Sequence, residues 1–275
     1  MAATQKPAPK KSSGFQGVRN AFWIIAAMFV VAVCIFKFVL GNPANFVGND
    51  PDGEVLNGNM LGTIYKGGIV VPVLITLMLT VLCLSIERLL AQKTAFGKMS
   101  TTKFVVAIKA ALAKNDFVEA QNLCDKQRGT IANVVGASLK AYKEVEALQG
   151  VKKAQKIAKI QQAHEEAVQL EMPTLQMNMP ILATLVTLGT LTALFGTVTG
   201  MIKSFAALAS GGGDSVALST GISEALINTA LGILTSWLAV VSYNFFSNRI
   251  DKLTYALDEV GYTIAQTYEA NHDEA

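Results

Sequence analysis

Apolar residues in this chain are gathered into four long runs, separated by polar and charged connections. Asn20 to Leu40 is interrupted only by Lys37, and Gly67 to Ile86 carries no charge and stops at Glu87-Arg88. The stretch between Glu171 and Lys203 is also uncharged, with Pro173 and Pro180 marking its start, and Ala225 to Asn248 runs uncharged to Arg249. A bilayer core of about 30 Å needs roughly 20 residues of helix. Each run meets that length, so the pattern predicts an all-α integral membrane protein with four transmembrane helices. A cleaved leader competes for the first run, because basic residues precede its apolar block. That block exceeds the roughly 7 to 15 apolar residues of a signal peptide, and no small-residue cleavage pattern follows Leu40, so a retained span is expected.

Lys and Arg accumulate in cytoplasmic connections, which orients the spans. The leader holds Lys6, Lys10, Lys11 and Arg19, whereas Gly41 to Tyr65 holds no Lys or Arg and carries Asp50, Asp52 and Glu54. Fourteen Lys and Arg fall between Arg88 and Lys159, none between Ser204 and Ser223, and Arg249 with Lys252 follows the last run. All connections fit one alternating scheme with both termini cytoplasmic. The expected organisation is a basic leader at 1–19, spans at 20–40, 67–90, 179–203 and 223–248, periplasmic loops at 41–66 and 204–222, a cytoplasmic helical domain at 91–178, and a cytoplasmic helix and tail at 249–275.

The cytoplasmic segments read as helices. Phe104, Ile108 and Leu112 share one face, Asp116 to Glu119 resembles a capping box, and Ile131, Val134, Val135, Leu139 and Tyr142 form a second face. Ile160, Ala163, Ala167 and Leu170 are expected to lead from a Lys-rich stretch directly into the third span. Past the fourth, Ile250, Leu253, Leu257, Val260 and Ile264 alternate by three and four like a coiled-coil seam, which is expected to pack on the insertion as a collar. His164, on a polar helix, and His272, near the C-terminus, are expected to be solvated and without a role.

Within the spans the distribution of small and hydroxyl residues is informative. The first two are almost wholly large aliphatic and aromatic, which suits outer, lipid-facing positions. On the third, Thr190, Ala193, Thr197, Gly200 and Ser204 recur on one face; on the fourth, Thr229, Gly232 and Ser236 do the same, while Glu224, Asn228, Thr235 and Ala239 form a second stripe. Such faces serve close helix packing or line a hydrated passage, and the residues alone leave both open. Glu224 lies more than roughly 30 Å before Arg249 along a helix, near the outer boundary of the membrane, where Lys203 across the hairpin is the expected ion-pair partner.

The composition agrees with a membrane protein: 51% hydrophobic, 16% charged, with mean hydropathy +0.39. Formal charge of +3 is too small and dispersed for a nucleic-acid partner. Cys34, Cys83 and Cys124 are widely spaced, so neither a disulfide framework nor a metal site is expected. No cofactor is implied. There is no GxSxG, HExxH or phosphate loop, and Gly211-Gly-Gly213 reads as a flexible turn, so an enzyme is not expected.

Ala193-Leu-Phe-Gly-Thr-Val-Thr-Gly-Met-Ile-Lys-Ser-Phe205, followed after a short loop by Gly221-Ile-Ser-Glu-Ala-Leu-Ile-Asn-Thr-Ala-Leu-Gly-Ile233, resembles the paired signature of the MotA/TolQ/ExbB proton-channel family, in its ExbB-type branch. The resemblance covers roughly Ala91 to the C-terminus and the second span in layout, and is motif-specific between about Thr187 and Ser247. It implies a subunit of the bacterial inner membrane whose homopentamer encloses a pore occupied by a single-span partner like ExbD or TolR. The partner's aspartate is the implied proton carrier, and a TonB-like energy transducer for outer-membrane uptake is the implied recipient of the work. The family's pore-lining threonines correspond to Thr197 and Thr229 and its signature glutamate to Glu224, with Thr190, Asn228 and Ser236 as further candidates for the proton path. The first span departs from the family's usual three-span layout, and Lys203 is a second feature that does not follow from its motif. A TolQ-like or gliding-type motor subunit is the alternative within the family, and a structural membrane scaffold is the alternative outside it.

Overall fold

The computed structural model describes residues 21–51, 53–209 and 215–272. The basic leader with its Lys6, Lys10, Lys11 and Arg19, Asp52, and the Gly211-Gly-Gly213 turn lie outside the described residues. The described chain is helical, with nine α-helices: α1 Ala21–Cys34, α2 Met60–Tyr65, α3 Val70–Phe96, α4 Thr101–Ala113, α5 Phe117–Gln127, α6 Gly129–Glu146, α7 Lys153–Gln176, α8 Met179–Ala209 and α9 Ser215–Asn271. Four helical stretches are long and apolar enough to cross a membrane: Ala21–Leu40, where α1 ends in a wider-pitched π turn, and those carried by α3, α8 and α9. The described residues divide into two compact units, an apolar one within 21–87 and 178–246, and a polar one within 88–177 and 247–272.

In the apolar unit the second span is the best shielded, contrary to the expectation of an outer position. Half of its most apolar stretch is buried, against 11% in the first span and 28% in each of the last two. Val71 and Ile75 of α3 pack with Ala32 and Leu40, and Ile227 and Leu231 of α9 close over them. Hydropathy fails here for a physical reason: a neighbouring helix and an acyl chain are equally apolar, so bulk aliphatic content cannot tell which one a span faces. Between α1 and α2, Asn45 gathers the connection. Its amide donates to Val39 O at 2.9 Å and Leu40 O at 3.0 Å, satisfying carbonyls freed at the helix end, and its Oδ1 accepts from Asn59 Nδ2 at 3.0 Å.

In the polar unit the expected faces are buried: Phe104, Ile108 and Leu112 on α4, Ile131 to Tyr142 on α6, and Ile250, Leu253, Leu257, Val260 and Ile264 along the end of α9. Asp116 Oδ1 accepts from Glu119 N at 2.9 Å and starts α5. Cys124 is buried, and burial beside Asp125 raises its thiol pKa to about 12, so it is an inert thiol. Three expectations for α7 change. Leu170 is 72% exposed, while His164, expected in solvent, is buried. The inward face runs through Ile160, His164 and Leu175, because His164 finds a hydroxyl partner in Ser138 at 2.9 Å that a sequence pattern cannot show. Nor does α7 continue into the third span: Asn178 adopts φ +64°, a conformation asparagine tolerates, and Pro180 sits in the first turn of the separate helix α8. His272 is not free either, since its ring stacks on Tyr268 with centroids 4.1 Å apart.

Candidate functional site

α8 and α9 run antiparallel along a seam of bare backbone. Gly189 faces Gly232 and Ser236, Gly196 faces Asn228, and Gly200 faces Gly221 and Ala225, each so closely that a Cβ would collide. In a medium without a hydrophobic driving force between helices, such close approach supplies the dispersion contact that holds them. Ala193, Gly200 and Ser204, which share a stripe with Thr190 and Thr197, are therefore absorbed by packing. The threonines stand at the edge of the seam, Thr197 half-buried and Thr190 exposed.

Three polar rungs cross this hairpin. Thr190 Oγ1 and Ser236 Oγ lie 2.9 Å apart, and Ser236 donates to Val186 O at 2.7 Å, which leaves Thr190 to donate to Ser236. Thr197 Oγ1 and Thr229 Oγ1 lie 2.6 Å apart. Each of these two is also within reach of its own helix, Thr197 of Ala193 O at 3.0 Å and Thr229 of Ala225 O at 2.9 Å. With one proton per hydroxyl, one threonine donates across and the other donates back, and rotation about the two C–O bonds exchanges the roles. Nearest the loop, Lys203 Nζ donates to Glu224 Oε1 at 2.7 Å and Oε2 at 2.8 Å, with the carboxylate side chain 7% exposed and the lysine 56%.

The remaining candidate, Asn228, faces elsewhere. It is fully buried, and its amide donates to Gly67 O at 3.0 Å, at the turn that leads into α3. Gly68 in that turn has φ +76°, and a Cβ there would strike the Glu224 carboxylate. The Gly67-Gly68 pair is thus part of the setting of Glu224 and Asn228, a role for which the only sequence signal was two adjacent glycines before an apolar run. Thr235 and Ala239, which share a stripe with Asn228, are fully buried as well.

Chemically, the rungs offer hydroxyl donors and acceptors and one buried carboxylate neutralised by an ammonium. Adjacent rungs stand about 7 to 11 Å apart along either helix at 1.5 Å per residue, too far for direct hydrogen bonds between them. Continuous proton movement along them needs water or a further titratable group in the gaps. Among the described residues, no three His, Cys, Asp or Glu side chains converge as a metal site requires.

Residues 131–259 match the family model of the MotA/TolQ/ExbB proton channel family, a span that contains all three rungs. The chain is similar to the Tol-Pal system protein TolQ of Pseudomonas aeruginosa, with 31% identity over 51% of this chain and 59% of that protein. It is similar to the biopolymer transport protein ExbB of Salmonella typhimurium, with 38% identity over 29% of this chain and 33% of that protein. A putative biopolymer transport protein ExbB homolog of Methanothermobacter thermautotrophicus is 23% identical over 65% of this chain and 62% of its own length. In each case the chain spans less than two thirds of the relative. Residues 131–259, which carry the seam and its rungs, are thus the part of the chain that is similar to the MotA/TolQ/ExbB proton channel family.

Proposed function

We propose that this chain is the ring-forming proton-channel subunit of an inner-membrane motor. Five copies enclose the single-span helices of a partner resembling ExbD or TolR, both termini are cytoplasmic, and a TonB-like transducer receives the work for outer-membrane transport. The observation that carries this reading is the Thr197–Thr229 pair, 2.6 Å apart and half-buried on a hairpin that also holds the Lys203–Glu224 pair. A hydroxyl pair that exchanges donor and acceptor roles suits a site where a partner's carboxylate gains and loses a proton. Thr190 and Ser236 supply a second such station, and the fixed Glu224–Lys203 pair shapes the potential at the outer end. Asn228 contributes by holding α9 against the Gly67 turn. Each proton crossing releases about 2.3 kcal/mol per 100 mV of membrane potential, which successive transfers convert into movement of the partner.

A TolQ-like role stands beside the ExbB-like one, because the similarity to the Pseudomonas TolQ extends over 141 residues and that to the Salmonella ExbB over 80. Deleting this chain in its host and asking which envelope process fails, outer-membrane uptake or envelope integrity, separates the two. A passive scaffold would need the glycine seam and not the threonines. Thr197→Val together with Thr229→Val keeps shape and removes both hydroxyls. The expected outcome is an assembled complex whose proton flux in reconstituted vesicles falls at least tenfold, and unchanged flux from an assembled complex would sink the proton-path reading.

A further inference from the structure

A run of direct contacts, all within the apolar unit, ties the first span to the Lys203–Glu224 rung. In the π turn that ends the span, the Phe36 ring stacks on Tyr65 of α2 with centroids 4.7 Å apart, and Phe46 meets the same ring edge-on at 5.5 Å. Gly41 leaves room for that ring, since a Cβ there would lie 2.6 Å from it. Asn59 starts α2: its Oδ1 accepts from Leu61 N at 3.0 Å and Gly62 N at 3.2 Å, while its amide donates to Asn45. At the far end of α2, Tyr65 O accepts from Gly68 N at 3.2 Å, and Gly67 O accepts from the Asn228 amide. One residue, Tyr65, therefore meets the first span with its ring and the Gly67-Gly68 turn with its carbonyl.

Beyond that turn lies Glu224. A glutamate carboxylate sits on three rotatable bonds, and its ammonium partner here is the tip of a flexible side chain that is itself 56% exposed, so the ion pair alone fixes it poorly. The turn supplies a wall. Gly68, at φ +76°, lays bare backbone against the carboxylate, so closely that a Cβ would collide with Oε1 and stand 2.9 Å from Cδ. Asn228, one turn along α9 on the same face as Glu224, holds Gly67 and keeps that wall in place. Close-packed groups pass displacement on to one another, so a shift of Tyr65 reaches the carboxylate across two residues of turn.

We propose that the first span and α2 form a brace that positions the Glu224 carboxylate, with Gly68 as the positioning residue and Tyr65 as the link to the span. The assignment rests on the reading of Glu224 as the charge that shapes the outer end of the proton path. It gives the span that departs from the usual layout a task, which is to fix the direction in which Glu224 meets Lys203.

Melting temperatures of the full chain in detergent test the brace without reference to conduction. Gly68→Ala is expected to melt about 3 °C below Gly58→Ala. Gly58 has φ +81° and open space around it, so its variant carries the backbone strain alone. In a Glu224→Asp background, where the carboxylate is one methylene shorter, Gly68→Ala is expected to cost no more than Gly58→Ala. Tyr65→Leu, which removes the stack on Phe36, is expected to depart from additivity with Glu224→Gln by about 2 °C and to be additive with Thr190→Val. This second cycle reads the same link even where Gly68→Ala fails to fold. Equal melting of the two glycine variants, no relief from the shorter carboxylate, or additivity of Tyr65→Leu with Glu224→Gln would each overturn the proposal. In reconstituted vesicles Gly68→Ala is expected to lower proton flux about fivefold, with Gly58→Ala unchanged. Unchanged flux from a Gly68→Ala protein whose melting shows the coupling would overturn the part of Glu224 in conduction and leave the brace standing.

Discussion

His164 shows how one partner decides a residue's state. Ser138 Oγ lies 3.0 Å from Val134 O and 2.9 Å from His164 Nδ1, and which of the two takes the hydroxyl proton goes with the tautomer of the ring. In either tautomer Nε2 is buried without a hydrogen-bond partner, facing Gly261, where even a methyl group would collide with the ring. An imidazolium is disfavoured in that position: burial lowers the pKa below the ordinary 6.5, outweighing Asp258 of α9 and Glu165 of α7, which raise it. The unfolded chain takes up this proton more readily than the folded one, so stability is fully present above about pH 6.5 and declines as pH falls below it. The melting temperature of the wild type is expected to drop on acidification through pH 6.5 to 5 more steeply than that of His164→Asn. Parallel curves for the two proteins would show that the imidazole is not the group responsible.

At the scale of helices, the contacts divide by how bare the backbone is. Gly196→Ala places a methyl 2.6 Å from the Asn228 Cβ and 2.8 Å from its amide, which must move and give up Gly67. The cost expected in chemical denaturation is about 1–3 kcal/mol. Gly136→Ala on α6, whose nearest foreign atom is 4.0 Å away, is the control, and there alanine's better helix propensity should stabilise by up to about 1 kcal/mol. Equal behaviour of the two variants would refute a tight seam. Much of this was legible beforehand. The 3-and-4 spacing of the tail residues from Ile250 to Ile264 located a buried face, and the small residues of the last two spans located a contact. The shielded position of α3 was not legible, since lipid and protein ask for the same residues there. Nor was the split of one small-polar stripe into packing members, such as Gly200, and edge members, such as Thr197. Helical spacing assigns both to one face, and only the partner helix separates them.

At the scale of the molecule, α8 and α9 leave much apolar surface uncovered. Leu191, Leu194, Phe195 and Ile202 on one, with Leu226, Ile233 and Trp237 on the other, are each more than half exposed. Acyl chains can cover part of this, and the proposed ring assigns the rest to adjacent copies and an enclosed partner. Light scattering of the purified chain in detergent is expected to give five protein masses, rising when a single-span partner is co-expressed. A stable monomer under both conditions would exclude the ring. The threonine pair has a further consequence for such an assembly. Because Thr197 and Thr229 can each play donor or acceptor, the pair is symmetric toward inward and outward traffic and holds no preference of its own. Any rectification must be imposed on it from outside, by the electric field across the bilayer and by the fixed charges at one mouth, so reversing the field should drive the same machinery backwards.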